Sequence, residues 1–221
     1  MAIYHGSEAL AKQKISVIYD PKSFQKPHIY DSERKYALLV VDMLNDFITG
    51  TLKCARATPI VPRIQSLIDA ARSSAIPLIY SKDSHRPKDF EIRSRWTPHA
   101  MRGTKGADVI PELKSRKGDY SIPKTTYSSF YNTDLDDVLR SLYDGTGANT
   151  LLLTGVHTDC CIRHTCADAF FRGYETFVMR DGVNSFTEAQ HQFGLQYIQY
   201  WYATGIVSTR EMIRRLSGRT R

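Results

Sequence analysis

The feature that most constrains the fold of this chain is a repeated alternation of short apolar runs with amphipathic segments. The runs are unbroken by polar residues, which is typical of strands that are buried on both faces of a parallel sheet. They predict six strands, which are Tyr36–Asp42, Ile76–Asp83, Asp119–Lys124, Thr150–Val156, Tyr174–Asp181 and Gly205–Thr209.

The segments between these strands have helical periodicity. Leucine and valine side chains recur at spacings of three and four over residues 135–142, and Ser185 with Glu188 predicts a capping box for an aromatic-rich helix that continues to about Tyr202. Repeated strand–helix units imply a single α/β domain, a three-layer sandwich in which helices cover both faces of a mostly parallel sheet of roughly six strands.

We assign this domain to residues 36–221 and expect residues 1–35 to form an extension packed on it, with a short strand at Ile15–Tyr19. No apolar run approaches the roughly 18–20 residues that cross a bilayer. The first residues also lack the apolar core of a signal peptide. These two observations predict a cytoplasmic protein with no membrane partner.

The formal net charge of +7 raises the question of a nucleic-acid partner. The basic residues are spread along the chain and form no known nucleic-acid module, so a solvated basic surface is the favoured interpretation. The four cysteines, Cys54, Cys160, Cys161 and Cys166, contain no CxxC pair and do not suit a disulfide scaffold. They are expected to be free thiols, one of which could be reactive.

Chemically reactive side chains stand where the predicted strands end. Asp42, Asp83 and Lys124 each close a strand, and Cys161 follows the fourth strand at the start of a helix. Ligands of parallel sheets bind beyond these carboxyl ends, so we expect the four side chains to meet there. A helix N-terminus and a lysine favour a thiolate, and an aspartate can exchange the proton. Backbone amides of the turn could hold an oxyanion.

Three motifs resemble those of the isochorismatase-like cysteine hydrolases, and of the nicotinamidases among them. They are "VVDMLNDF" from Val40, "KTTYSSF" from Lys124 and "GVHTDCC" from Gly155. The resemblance covers residues 36–208. It implies that Asp42, Lys124 and Cys161 are catalytic, with Cys161 rather than Cys160 as the nucleophile.

The resemblance also implies a cis peptide bond between Val156 and His157. The backbone amides of His157 and Cys161 would then form the oxyanion hole. His157 is bulkier than the small residue expected at this position of the motif.

Two further segments, "KDSH" and "WTPHAMRGTKGAD", resemble the metal-binding motifs of nicotinamidases. They imply that Asp83, His85 and His99 bind zinc or another divalent metal, a ligand set that suits zinc. Some family members have one more histidine between these motifs. Here Asp89, Glu91 or water would fill its position.

The resemblance implies a hydrolase that converts nicotinamide to nicotinate and ammonia, with the ring packed among Phe47, Trp96 and Tyr127. No redox or nucleotide cofactor is expected, since no dinucleotide or P-loop signature is present. A homo-oligomer is implied as well. Two alternatives stay open: another amide or carbamoyl hydrolase of this family that works without metal, and a non-catalytic basic binding domain.

Overall fold

Six parallel strands form one sheet in the computed structural model, which describes residues 33–218. The order across the sheet is β3-β2-β1-β4-β5-β6. The strands are β1 (Tyr36–Val41), β2 (Leu78–Asp83), β3 (Tyr120–Lys124), β4 (Thr150–Val156), β5 (Glu175–Asn184) and β6 (Gly205–Val207). This confirms the predicted single-domain α/β architecture. The strand predicted at Ile15–Tyr19 lies outside the described residues.

Seven α-helices connect or follow these strands within residues 33–218. They are α1 (Asn45–Ile48), α2 (Val61–Ser73), α3 (Phe90–Ser94), α4 (Leu135–Ser141), α5 (Arg163–Phe171), α6 (Glu188–Tyr202) and α7 (Thr209–Ser217). Short 3-10 turns cover Ala55–Ile60, Lys105–Ala107 and Pro111–Leu113, and a π-helical turn covers Thr158–Ile162. No helix in this part of the chain has both the length and the apolar character needed to span a membrane.

The unbroken apolar runs are explained by burial on both faces of the sheet. Every residue of β1 and of β4 is buried. Alternate side chains of β1 enter different clusters: Leu38 and Val40 pack with α2 and α7, and Leu39 packs with α4, α5 and α6. The sheet is therefore the middle of three layers, and water reaches neither face of its central strands.

Some predicted boundaries were wrong. β2 begins at Leu78 rather than Ile76, and β5 runs on to Asn184. The capping box of α6 is formed by Thr187 and Gln190, not by Ser185 and Glu188. The hydroxyl of Ser185 instead donates a hydrogen bond of 2.6 Å to Asp159. Ser185 therefore forms a tertiary contact instead of the helix cap that the local sequence pattern predicted.

The order of the strands determines where a ligand can bind. The chain leaves β1 toward β2 and β3 on one side of the sheet, and continues through β4 to β6 on the other. In such a sheet a crevice opens beyond the carboxyl ends of the two strands at the switch point, here β1 and β4. Asp42 directly follows β1, and the turn that carries Cys161 follows β4.

Gly155 allows β4 to approach β1 closely at this switch point. Its φ is +113°, and a Cβ added there would lie 1.9 Å from the carbonyl oxygen of Val41. We therefore expect Gly155→Ala to lower the free energy of unfolding by roughly 3–5 kcal/mol, because both strands would have to separate. Denaturant unfolding of the purified protein measures the effect.

Gly145→Ala is the matched control for this substitution. Its φ is also positive, at +80°, but a Cβ there would meet nothing within 4 Å. The control should cost about 1–2 kcal/mol, the strain of a left-handed backbone alone. Equal losses in the two variants would show that the close approach of β1 and β4 is unimportant for stability.

Candidate active site

The carboxyl ends of β1, β2 and β3 bring three charged side chains together in the protein interior. The ammonium of Lys124 lies 2.7 Å from Oδ2 of Asp42 and also contacts the carboxylate of Asp83. The backbone amide of Asp83 donates a hydrogen bond of 2.9 Å to Asp42 Oδ1. All three residues are almost fully buried, so each charge depends on its partners rather than on water.

The two carboxylates of this cluster have different proton affinities. Burial and the negative charge of Asp83 raise the pKa of Asp42 to about 7, despite the opposing effect of Lys124. Burial would also raise the pKa of Asp83, but Lys124 and His85 outweigh it and bring that pKa to about 2. Asp83 is therefore a permanent anion, whereas Asp42 can gain and lose a proton near neutral pH.

The thiol of Cys161 completes the cluster. Its Sγ lies 3.8 Å from the ammonium of Lys124, and the same thiol is hydrogen-bonded to Asp42. The adjacent thiol of Cys160 and burial raise the pKa of Cys161, while Lys124 acts in the opposite direction. Cys161 thus holds its proton until a base removes it, and Asp42 is the base in contact with it.

Cys160 has different surroundings. Its hydrogen bond with Cys161 lowers its pKa to about 6, with a further contribution from His164. However, Lys124 and Asp42 touch the sulfur of Cys161, which is the thiol that the motif assigns as nucleophile. The lower pKa of Cys160 therefore comes with His164 as its neighbour and not with the pair of Lys124 and Asp42.

The turn after β4 holds Cys161 at the edge of the sheet. The peptide bond between Val156 and His157 is cis, and the residues that follow it, Thr158–Ile162, form the π-helical turn. The carbonyl of His157 accepts hydrogen bonds from the amides of Cys160 and Ile162. The oxyanion role of the amides of His157 and Cys161 stays a prediction.

A possible metal-binding cluster adjoins these catalytic candidates. Asp83, His85 and His99 are all buried, and one ligand atom of each lies within 4.8 Å of the others. Nε2 of His85 is 3.6 Å and Nε2 of His99 is 4.0 Å from Oδ2 of Asp83. Two ligands about 2.1 Å from a tetrahedral zinc ion are separated by about 3.4 Å, so the spacing suits one shared ion.

The hydrogen bonding of the two histidines also fits a metal. Both ring nitrogens of His85 are buried and have no hydrogen-bond partner among the described residues. Nδ1 of His99 lies 2.8 Å from the carbonyl of Thr97, which can only accept a hydrogen bond. Nδ1 of neutral His99 must therefore carry the proton, which leaves the lone pair of Nε2 free for a metal.

The two acidic residues considered as extra ligands occupy different places. Asp89 Oδ2 lies 3.7 Å from Nδ1 of His85, on the side of the ring away from Asp83. Asp89 can therefore orient His85 but does not face the shared position. Glu91 is buried, and burial and the charge of Asp83 raise its pKa to about 7. Its Oε2 has no hydrogen-bond partner within residues 33–218.

Two residues of the first motif position the segment that carries His99, a role that the sequence analysis missed. The carboxylate of Asp46 accepts a hydrogen bond of 2.7 Å from the amide of Ala100, next to His99. The side-chain amide of Asn45 donates one of 2.7 Å to the carbonyl of Lys105. Asn45 and Asp46 are visible in the first motif, but only the fold shows that they hydrogen-bond to the segment that carries His99.

The three residues expected to bind the substrate are linked by neighbouring aromatic rings. The ring of Phe47 lies 5.5 Å from that of His99 and 5.5 Å from that of His157. Nε1 of Trp96 donates a hydrogen bond of 3.2 Å to the hydroxyl of Tyr127. These contacts put all three close to the metal-binding or nucleophile segments.

Sequence reasoning missed two further rings of this region. Phe186 stacks on His157 with a centroid separation of 4.2 Å, and His164 lies 5.3 Å from Tyr127. Neither residue lies within one of the motifs described above, so the spacing of residues in the sequence did not point to them.

Comparison with known proteins agrees with this geometry. The model of the isochorismatase domain matches residues 36–212, nearly all of the described chain. The chain belongs to the isochorismatase family. It is therefore a hydrolase, and the interpretation as a non-catalytic binding domain is set aside.

The relatives of this isochorismatase-family hydrolase include different amidases. Nicotinamidase 3 of Arabidopsis thaliana is 28% identical over 172 residues, which are 76% of this chain and 82% of that protein. The structure of N-carbamoylsarcosine amidase from Thermoplasma acidophilum has a TM-score of 0.73 at 38% identity, covering 79% of this chain and 96% of that one. Pyrazinamidase of Pyrococcus horikoshii in complex with zinc has a TM-score of 0.71 at 27% identity, covering 79% and 99%.

The environment of His157 predicts how stability depends on pH. Burial among aromatic rings lowers the pKa of His157 to about 4. In the unfolded chain this histidine binds a proton near pH 6.5, so the unfolding free energy should fall as the pH drops from about 6.5 to about 4, by about 3 kcal/mol. Denaturant unfolding across this range, for the wild type and for His157→Leu, isolates the contribution. The prediction would be wrong if the unfolding free energies of the two proteins depended on pH in the same way.

Proposed function

We propose that this hydrolase cleaves the carboxamide of nicotinamide to give nicotinate and ammonia. The observation that carries the proposal is the cluster of Asp83, His85 and His99 beside Cys161, with Asp83 in contact with Lys124. A thiol, an acid–base group and a metal-ligand set then face one small-molecule site. The nicotinamidase among the relatives and the zinc complex of the pyrazinamidase add support.

The first half of the reaction uses Cys161 and Asp42. Asp42 removes the thiol proton, and the sulfur attacks the carboxamide carbon, which gives a tetrahedral intermediate. Asp42 then passes this proton to the amide nitrogen, the carbon–nitrogen bond breaks and ammonia leaves. A pKa of about 7 suits a group that must accept and return one proton at neutral pH.

The second half releases the acid. Water attacks the thioester carbon while Asp42 takes a proton from it, and the carbon–sulfur bond then breaks. The proton on Asp42 returns to the sulfur of Cys161, so the enzyme regains its starting state. The product acid departs and loses its remaining proton to water to become nicotinate. Lys124 keeps its charge throughout, because Asp42 and Asp83 hold its pKa well above the ordinary value against the effect of burial.

The negative charge that develops on the carboxamide oxygen needs hydrogen-bond donors. We assign this role to the backbone amides of His157 and Cys161, in the turn that follows β4. Removal of one such donor in other enzymes costs about 2.7–4 kcal/mol of transition-state stabilisation.

Asp83, His85 and His99 would hold the metal, for which zinc is the proposed identity. When bound, zinc would supply a Lewis-acidic position that orients the pyridine nitrogen of the substrate. Phe47, Trp96 and Tyr127 would pack around the ring. The small-molecule amide is the proposed partner. A homo-oligomer and a cytoplasmic location remain predictions.

A carbamoyl amide is the second candidate substrate. The observation that favours it is the 38% identity to N-carbamoylsarcosine amidase. The reaction would use the same Asp42, Lys124 and Cys161 and would not need the metal. Metal dependence therefore separates the two candidates.

A substrate panel with zinc-replete and metal-stripped protein tests the choice. We expect ammonia release from nicotinamide by the zinc-replete protein and its loss on chelation, because the ring then has no anchor. Metal analysis should show that His99→Ala loses zinc, while His164→Gln, outside the three-ligand cluster, keeps it. Metal-independent hydrolysis of N-carbamoyl compounds, with nicotinamide untouched, would favour the second candidate instead.

The adjacent cysteines allow a matched test of the nucleophile. Cys161→Ala should lower kcat by roughly 10⁴-fold or more, because no other thiol contacts both Lys124 and Asp42 in the part of the chain that the structure describes. Cys160→Ala should keep kcat within a few-fold. Steady-state kinetics measure both, and a trapped thioester should appear by mass spectrometry only where Cys161 is present. The reverse pattern would assign the chemistry to Cys160.

A further inference from the structure

Helix α6 packs directly against the π-helical turn that carries Cys161. The helix has a glycine, Gly194, at the point of contact. A Cβ added there would lie 2.8 Å from the amide nitrogen of Asp159 and 2.8 Å from the carbonyl carbon of Thr158. A side chain at this position would displace one of the two backbones, so only glycine lets the helix come so close. The turn therefore rests on the backbone of α6.

A buried hydrogen bond joins the same helix to the same turn. Oγ1 of Thr158 lies 2.9 Å from Nδ1 of His191, one turn of helix before Gly194. Thr158 is fully buried and His191 is 6% exposed, so bulk water does not compete for this bond. The threonine hydroxyl can donate to a bare Nδ1 or accept from a protonated one, so either tautomer of His191 can make the contact.

The next residue of the turn is held by the segment that leads into α6. The hydroxyl of Ser185 donates a hydrogen bond of 2.6 Å to the carboxylate of Asp159, and the amide of Asp159 donates one of 3.4 Å to the same hydroxyl oxygen. Thr158 and Asp159 are therefore each bonded to a side chain outside the turn. Both lie between His157 and Cys161, whose backbone amides we assign to the oxyanion hole.

We propose that His191 is a positioning residue, which aims the amides of His157 and Cys161 through its hydrogen bond to Thr158. Donors of an oxyanion hole stabilise the transition state because they are held in place before the negative charge develops. A turn that can shift by a fraction of an ångström would lose part of this effect. The inference rests on the proposed cleavage of an amide by Cys161, but it does not depend on which amide is the substrate.

Paired variants on both sides of the hydrogen bond test the proposal. Thr158→Val and His191→Leu remove the bond, whereas Thr158→Ser and His191→Asn keep a hydrogen-bonding group in its place. The first two should each lower kcat about tenfold and leave KM within about twofold, because the oxyanion forms only after the substrate has bound. The conservative pair should stay within about threefold of the wild type, and wild-type kcat in Thr158→Val and His191→Leu would overturn the proposal.

The double variant of Thr158→Val and His191→Leu shows whether the two residues act through one bond. Its kcat should be about the same as that of either single variant, since the second substitution removes a bond that is already lost. Losses that multiply would mean that the two side chains act independently, which contradicts the proposed route from His191 to the turn. If Thr158→Val does not fold, the comparison of His191→Leu with His191→Asn decides the question from the helix side.

Thr176→Val is the matched control for the loss of a buried hydroxyl. Oγ1 of Thr176 lies 2.8 Å from Oγ1 of Thr204, and both residues are buried. Thr176 stands near the start of β5, at the edge of the sheet opposite the candidate active site. The control should lose stability to denaturant about as much as Thr158→Val, while kcat stays within about twofold. An equal fall of kcat in both variants would assign the effect to stability instead of positioning.

Alkylation by iodoacetamide gives a second readout, which needs no substrate. It is measured by mass spectrometry on the peptide that contains Cys161, in a Cys160→Ala background that leaves one thiol in the turn. A carbon–sulfur bond forms as iodide leaves, and no oxyanion develops. The rate should therefore stay within about twofold when Thr158→Val is added. A fall as large as that of kcat would mean that the thiol has moved, and would overturn the assignment to the amides.

Failure of the proposed function would give a different result. Kinetics use whichever amide of the substrate panel the wild type cleaves, so hydrolysis of N-carbamoyl compounds alone would refute the nicotinamide proposal and still test His191. No ammonia release from any amide by the wild type would overturn both proposals. An active wild type with an equally active Thr158→Val variant would overturn only the positioning role.

Discussion

The buried ammonium of Lys124, held between two carboxylates, is the interaction on which the rest of the site depends. Asp42, Asp83 and Lys124 are each 3% exposed or less, so water does not compensate their charges. Removing one partner of such a buried pair typically costs about 3–5 kcal/mol, because an uncompensated charge remains in the interior. The three strand ends can therefore hold buried charged side chains only because they lie next to one another.

The same interaction gives the two carboxylates different properties. Asp83 is a fixed anion, because Lys124 and His85 both favour its charged form. Asp42 is also paired with Lys124, yet burial and the charge of Asp83 leave its pKa near neutrality. Two carboxyl groups of the same residue type thus differ in chemistry: Asp83 suits the proposed metal binding, and Asp42 suits the proposed proton transfer. Asp83 contacts Lys124 and lies within 4.0 Å of both histidines, so it stands between the candidate metal ligands and the candidate nucleophile.

Much of this arrangement was predictable from the sequence because parallel sheets follow strict rules. Unbroken apolar runs indicated buried strands, and the carboxyl ends of parallel strands lie at one edge, so Asp42, Asp83 and Lys124 could be grouped without coordinates. The less regular parts were harder to predict. The α6 cap was placed at Ser185 instead of Thr187, because Ser185 forms a tertiary hydrogen bond with Asp159 that local periodicity does not contain.

The sequence by itself determined the fold class, the strand that carries each reactive group and the motifs that relate the chain to its family. These properties are local, because they depend on the spacing of residues that are close together in the sequence. Only the tertiary structure decided that Asp89 lies on the side of His85 away from Asp83, and that Asp46 binds the segment of His99. It also decided that Oε2 of Glu91 has no hydrogen-bond partner among the described residues. Such facts depend on distances between side chains far apart in the chain, and on how much water each one loses on folding. Spacing along the sequence measures neither quantity.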